Sequence, residues 1–236
     1  MVGTAIRMAD VPALLRLLQL ASPALPIGAF HFSQGLEHAV HAGWVRDEGS
    51  ALEWIAGVAG AALATLDLPV LARLHDAWSQ DSASDVSRWS VLLIASRETD
   101  ELRAEDRHLG AALTKLLGEF ELSASRRLVL EQLQAERATA YATAFALASV
   151  HWGIALDQAL TAYAWTWVEN QTLAAVKLVP LGQTAGQRIL HRVAARIPAL
   201  LQQAAATSDD AIGIATVRLA VGSALHETQY SRLFRS

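Results

Sequence analysis

Histidines and clustered carboxylates carry most of the reactive potential in this chain, because it contains eight histidines and no cysteine. His38 and His41 stand three residues apart, with His31 just upstream. On a helix that spacing can present two imidazoles to one metal ion. It supports an alternative reading: a helical metal-binding protein or metal-dependent enzyme built on His31, His38 and His41. No neighbouring acid completes a ligand set. His226 precedes Glu227, but a His-Glu pair without a nucleophile specifies no reaction. Phosphate-cradling glycine loops, the dinucleotide fingerprint, the HExxH zinc helix and the GxSxG nucleophile elbow are all absent. With no nucleophile, base and orienting partner in view, no catalytic residue is assigned.

Three polar stretches remain. Glu98, Asp100, Glu101, Glu105 and Asp106 alternate with Arg97, Arg103 and Arg107. Helical spacing would join them in ion pairs three and four residues apart, worth a few tenths of a kcal/mol each. A solvated face is the default reading and a charged docking face the alternative. Glu169, Asn170 and Gln171 follow an apolar run, and Lys177 sits among small and apolar neighbours in "AAVKLVPLG". A lysine there must snorkel, pair or face a partner. Gln183, Thr184, Gln187 and Arg188 follow a Pro-Gly break. The last stretch, "HETQYSRLFRS", places Tyr230, Leu233 and Phe234 around Arg232 and Arg235, where frayed polar residues are the usual content.

The elements that must position these residues read as helices throughout. Asp10 and Pro12 open the first helix, as cap and first-turn proline, and Pro23 lies beyond its end. "SPALPIGAF" is a loop, and Ser33 is read as the cap of a short helix that Gly43 ends. Ser50 and Glu53 are read as a capping box, ahead of Leu52, Ile55, Ala59, Leu63 and Leu66 at helical spacing. Asp67 and Pro69 are read as restarting the chain. A helix is then expected from Ser84 or Asp85 as far as Leu117, followed by helices over 125–152, 157–178 and 182–196 and a weaker pair to the end. Apolar β-branched residues never alternate in short runs, so no strand is expected. The expected fold is all-α: a single-domain multi-helix bundle over 1–236.

Composition narrows the class of function. Charged residues make up only 18% and hydrophobic ones 53%, so part of the surface should be apolar and fit for contact. A net charge of -4 gives no reason to expect nucleic acid or anionic membrane as partner. Residues 138–156 form a long uncharged run. Their alanines and threonines favour a buried helix over a membrane span. The charged, interrupted N-terminus lacks a secretory h-region, which agrees with a cytoplasmic protein.

Three stretches, "LLRLLQLASPALPIGAFHFSQGLEHAVHAGWV", "AAVKLVPLGQTAGQRIL" and "HETQYSRLFRS", together resemble the urease accessory protein UreF family. "ELRAEDRHLGAAL" resembles that family's middle helix. The resemblance implies an all-α, dimeric, non-enzymatic adaptor. Such a protein bridges UreD (also called UreH) and the GTPase UreG during nickel incorporation into apo-urease, and modulates UreG. No cofactor is implied for the chain itself, since nickel is handled by the complex. Carried over residue by residue, the UreD/UreH surface would be Tyr230, Ser231, Arg232, Leu233, Phe234 and Arg235. These lie on a flexible docking tail over 227–236, which would order only on binding, with Leu233 and Phe234 as its anchors. The UreG surface would be Ser33, Gln34, Glu37, Lys177 and Arg188. Where the family often carries Ser-Tyr before "SQGLE", this chain has His31 and Phe32. The ring is kept and the hydroxyl lost.

Overall fold

The computed structural model describes residues 11–213 and 216–236. The Asp10 cap falls outside them. The described residues are helical, with no strand among them. Helix α1 (Val11–Leu20) is followed by the proline loop, then by α2 (Leu36–His41) and α3 (Glu48–Val58).

The cap of α3 is shifted from its expected place. Asp47 is the N-cap and accepts from the Ser50 N–H at 2.8 Å, while Ser50 Oγ accepts from the Asp47 N–H at 3.1 Å. The box is therefore Asp47 with Ser50, rather than Ser50 with Glu53. Nor does the chain restart at Asp67. α3 runs through a π-helical stretch, Ala59–Asp67, into α4 (Leu68–Ser79) as one rod. Pro69 explains the local change of register. In a regular helix its ring would meet the carbonyl four residues back, and the wider π turn gives it room. Such turns recur at functional sites, and this one delivers Asp67 to a buried position.

The long helix expected to end at Leu117 is two: α5 (Ala83–Ala95) and α6 (Asp100–Leu117). Thr99 separates them, its hydroxyl accepting from the Leu102 N–H at 3.2 Å as an N-cap. The stretch 125–152 is likewise split into α7 (Ala124–Ala135) and α8 (Tyr141–His151). Arg137 takes a positive φ of 56° in the break. Four helices complete the chain: α9 (Leu156–Leu178), α10 (Gln183–Ala194), α11 (Ile197–Ala206) and α12 (Val217–His226).

Helix α8 is the central element. Ala142 to Ser149 are all buried, and α4 and α6 pack on it. Its small side chains permit that approach, and Gly110 of α6 permits more. A Cβ at Gly110 would collide with the carbonyl oxygens of Thr139 and Ala140. Three polar side chains here are matched: Ser90 Oγ meets the Ala138 carbonyl at 2.5 Å and Thr143 Oγ1 at 2.6 Å, and Trp78 Nε1 donates to the Thr143 carbonyl at 3.0 Å. The one helical run among the described residues long and apolar enough to cross a membrane is Glu48–Ser79, and 78% of its most apolar window is buried inside the bundle.

The buried apolar residues form two cores. The larger gathers α4 to α8, with Leu20, Phe32, Tyr163 and Leu200. The smaller joins α2, α3, α10 and α12 with Val168, Ala174 and Ala175 of α9, and it includes Phe234. Helix α9 passes through both. Polar residues of the candidate site lie along the seam between them.

Candidate functional site

The turn Ser33-Gln34-Gly35 opens the site. Gln34 and Gly35 both take positive φ, 51° and 73°. For a non-glycine residue this is an uncommon conformation that the surroundings must hold. Gly35 is required for a second reason: a Cβ there would lie 2.9 Å from the backbone nitrogen of Ser223 on α12. Ser33 does not cap α2 in the expected way, since Gly35 is the N-cap. Its hydroxyl nevertheless accepts from the Glu37 N–H at 3.3 Å and donates to the Ser236 carbonyl oxygen at 2.5 Å. The Ser33 N–H donates to the same oxygen at 2.8 Å.

Residues 227–236 thus lie against the domain, which differs from the expectation of a tail ordered only by a partner. Glu37 supplies the physical reason. Its carboxylate is buried and accepts from the backbone N–H groups of Leu233 at 2.6 Å and Phe234 at 2.8 Å. The Arg235 N–H donates to the His31 carbonyl at 2.8 Å. Side chains alternate as in any extended segment. Phe234 and Ser236 point inward, while Leu233 and Arg235 point outward. Of the two expected anchors, Phe234 is therefore spent on its own domain and Leu233 stays 66% exposed. Tyr230 is fully exposed and Ser231 lies on the same outer side.

Behind the segment stand three acidic side chains. His226, wholly buried, places Nε2 3.1 Å from Glu37 and Nδ1 2.8 Å from Glu101. Arg232 reaches the second oxygen of Glu101 at 2.9 Å. Glu105, one turn further along α6, accepts from Gln34 Nε2 and Ser236 Oγ, each at 2.8 Å. Burial pushes the Glu105 carboxyl up to about 7, although those two hydrogen bonds act the other way. Gln34 Oε1 accepts from Trp167 Nε1 at 2.8 Å, and Asn170 Nδ2 donates to the Phe32 carbonyl at 3.1 Å. Gln34, Glu105, Trp167 and Asn170 also line a cavity of about 170 Å³.

Residues expected on two separate surfaces therefore meet in one place. Ser33 and Glu37 hold the backbone of 233–236. Lys177, exposed on α9, sets Nζ 5.6 Å from the Phe234 ring centre and 5.8 Å from that of Phe30. Arg188 stands apart, on α10, in an exposed two-pronged pair with Glu48.

Other expectations change. The acidic stretch of α6 is not wholly solvated: Glu105 and Asp106 are buried. Only Asp100 with Arg103 forms the expected local ion pair among the described residues. Asp106 and Asp67 instead share Arg97, at 2.8 Å and 2.5 Å. Burial works against the Arg97 charge, but the two aspartates more than offset it and hold the group protonated. Burial also raises the Tyr163 hydroxyl, which lies 3.3 Å from Asp67. His38 and His41 have ring centres 6.3 Å apart, and among the described residues no group of three or more His, Cys, Asp or Glu gathers as a metal site. The His31, His38 and His41 alternative thus finds no ligand set.

Sequence reasoning named His226, Glu101 and Glu105 but assigned none of them to the site. Glu101 and Glu105 do sit four apart on one helical face, directly facing the segment that ends the chain.

A profile of the UreF family matches residues 45–194. A urease accessory protein UreF from Alkalilimnicola ehrlichii is 49% identical over 221 residues, covering 94% of this chain and 95% of that protein. UreF proteins from an Azoarcus species and from Chromohalobacter salexigens are 47% and 46% identical, covering 94% and 96% of this chain and 95% and 96% of theirs.

Proposed function

The chain belongs to the UreF family of urease accessory proteins, and on that premise we propose that it works as a helical adaptor. It bridges UreD/UreH and the GTPase UreG while nickel is delivered to apo-urease. It supplies surface and no covalent chemistry. Nickel is the cargo of the assembly, held by partners and not by this chain, which acts in the cytoplasm as a homodimer. Its effect on UreG is a population shift: it binds one nucleotide state better than another and holds that state beside UreD/UreH.

The observation that supports this reading is that Tyr230, Arg232 and Leu233 stand exposed on the outer face of the bound C-terminal segment, with Lys177 exposed beside its Phe234. Tyrosine and arginine are enriched among binding hot spots, and here both project from a backbone that is already fixed. A preformed segment orders less on docking and so loses less entropy. Arg188, paired with Glu48 at a distance from this face, is a separate and weaker contact in the proposal.

Co-purification tests it. The double substitution Tyr230→Ala/Leu233→Ala removes only outward side chains, so helicity should be unchanged while capture by UreD/UreH is lost. Undiminished capture would move the contact elsewhere. GTP turnover by UreG in the assembly, with and without this protein, tests the regulatory half. An unchanged rate and nucleotide affinity would reduce the role to tethering.

A further inference from the structure

We propose that the outer face of α10 is an electrostatic docking stripe for an acidic face of UreG, and that it sets the rate at which the two proteins meet. The choice of UreG rests on the adaptor reading of the chain; the stripe adds a surface and a partner chemistry to it. Acidic residues outnumber basic ones over the whole sequence, yet none occurs between Glu169 and Asp209, where Lys177, Arg188, Arg192 and Arg196 all stand. The three arginines recur at steps of four. On a helix that is one row, with about 6 Å between successive members along the axis.

The fold turns this row outward. Ala185, Gly186, Ile189, Leu190 and Val193 are the buried side of α10, which packs on α9 and α3. A Cβ at Gly186 would come 2.5 Å from a methyl carbon of Val176, so α10 lies hard against α9 and forms a rigid platform. Arg188, Arg192 and Arg196 are exposed on the other side, with His191 beside them. The backbone stays helical through Ala195 and Arg196, where α11 begins, so the row continues past the end of α10. Arg188 has Glu48 as counter-ion, whereas Arg192 and Arg196 form no ion pair among the described residues.

Stability does not account for the row. Like charges four apart on a helix repel one another. The helix dipole favours a cation in the last turn and opposes one at the N-terminus. Arg192 is therefore helped by its place in α10, but Arg196 lies past that end and is the N-cap of α11. The chemistry of the partner follows from the charge. A second copy meeting this face about a two-fold axis would bring the same three guanidinium groups to it, and like charge would oppose the pair. A nucleic-acid duplex is gripped by a broader basic surface than one row on a chain of net charge -4. A protein face carrying carboxylates suits the row, because a guanidinium pairs with a carboxylate in two-pronged fashion, as Arg188 already does with Glu48. Exposed charges of this kind act on encounter rate and register more than on final affinity. That agrees with Arg188 as a separate, weaker contact to UreG.

Association of the full chain with purified UreG, followed by stopped flow at about 50 mM and about 500 mM salt, tests the stripe. The unsubstituted rate should fall steeply with salt. Arg192→Glu/Arg196→Glu should slow association at least about tenfold at the lower salt. At the higher salt the two forms should converge, because exposed charges are then screened. Arg192→Lys/Arg196→Lys should keep most of the rate, since steering needs the charge and not the guanidinium plane. Arg196→Glu alone should slow association while the urea midpoint stays or rises, which a residue serving only the fold would not do. If the double glutamate variant loses helical content, the salt profile of the unsubstituted chain and the Arg196→Glu rate decide. A rate indifferent to salt and to both glutamate variants, with UreG still bound, would overturn the stripe and leave the adaptor reading standing. No association of the unsubstituted chain with UreG would end both. Capture of a short DNA duplex, lost in the double glutamate variant, would overturn the proposal in favour of nucleic acid.

Discussion

Two buried acidic clusters meet on α6, at adjacent residues, and they are neutralised by different means. Asp106, with Asp67, is held by Arg97, whose guanidinium keeps its charge at any pH a protein tolerates. Asp67 and Asp106 sit on helices, and Arg97 lies in the short link between α5 and α6. Glu105, with Glu37 and Glu101, is held by a histidine, a serine, an amide, and the half-exposed Arg232 and two backbone N–H groups of an extended segment. The first cluster joins helices permanently. The second joins a helix face to a strip of chain whose remaining attachments are one buried phenyl ring and a few hydrogen bonds. Charge that must stay buried is paired with a buried arginine fixed between helices. Charge paired with titratable or mobile donors marks the part of the molecule able to change.

Substitutions that break one cluster should therefore have global effects, and those that break the other local ones. Arg97→Ala leaves Asp67 and Asp106 buried without a counter-charge, which should cost about 3–5 kcal/mol of global stability, read as a lower urea midpoint. Phe234→Ala removes a buried ring at the edge of the smaller core. It should lower the opening free energy of residues 233–236 by about 2–3 kcal/mol, while the urea midpoint moves little. Glu37→Gln exchanges one acceptor oxygen for an amide nitrogen facing groups that only donate. It should cost the same segment about 2 kcal/mol, again by local hydrogen exchange. A comparable fall in global stability from either local variant would erase the contrast between the clusters.

The helical class was legible because apolar residues recur at helical spacing in almost every segment. The breaks were less so. Nothing in the 84–117 pattern distinguishes Thr99 as a cap from a threonine on a helix surface; its role depends on the Leu102 N–H it meets and on Ser223, 2.7 Å away and distant in sequence. Pro69 read as a new start because a proline inside a helix normally breaks it, whereas the π stretch absorbs it. The site was half legible. Ser33, Glu37 and Lys177 stood out by type and context, yet their joint hold on residues 233–236 is a tertiary fact. Glu101 and Glu105 looked solvated because the local pattern offers each an arginine nearby, and only the folded chain shows that their actual partners are His226 and Arg232 for Glu101, and Gln34 and Ser236 for Glu105.

The smallest predicted effect is the one that best separates packing from recognition. Lys177 is exposed and lies over two rings at 5.6 Å and 5.8 Å. A cation over an aromatic face at an exposed site contributes about 0.5–1 kcal/mol. Lys177→Ala should therefore leave the helical fold intact and reduce protection of residues 233–236 by no more than about fivefold. Lys177→Arg should restore most of that loss, because the guanidinium also stacks on rings. If Lys177 serves only to cover Phe234, the two variants will differ in exchange and be alike, and normal, in the UreG step. If it contacts a partner, the alanine variant will impair UreG coupling far beyond its small effect on the segment, and arginine will rescue exchange more fully than coupling. A lysine on an exposed helix face, beside an extended segment it does not need to hold, is better placed for the second role than the first.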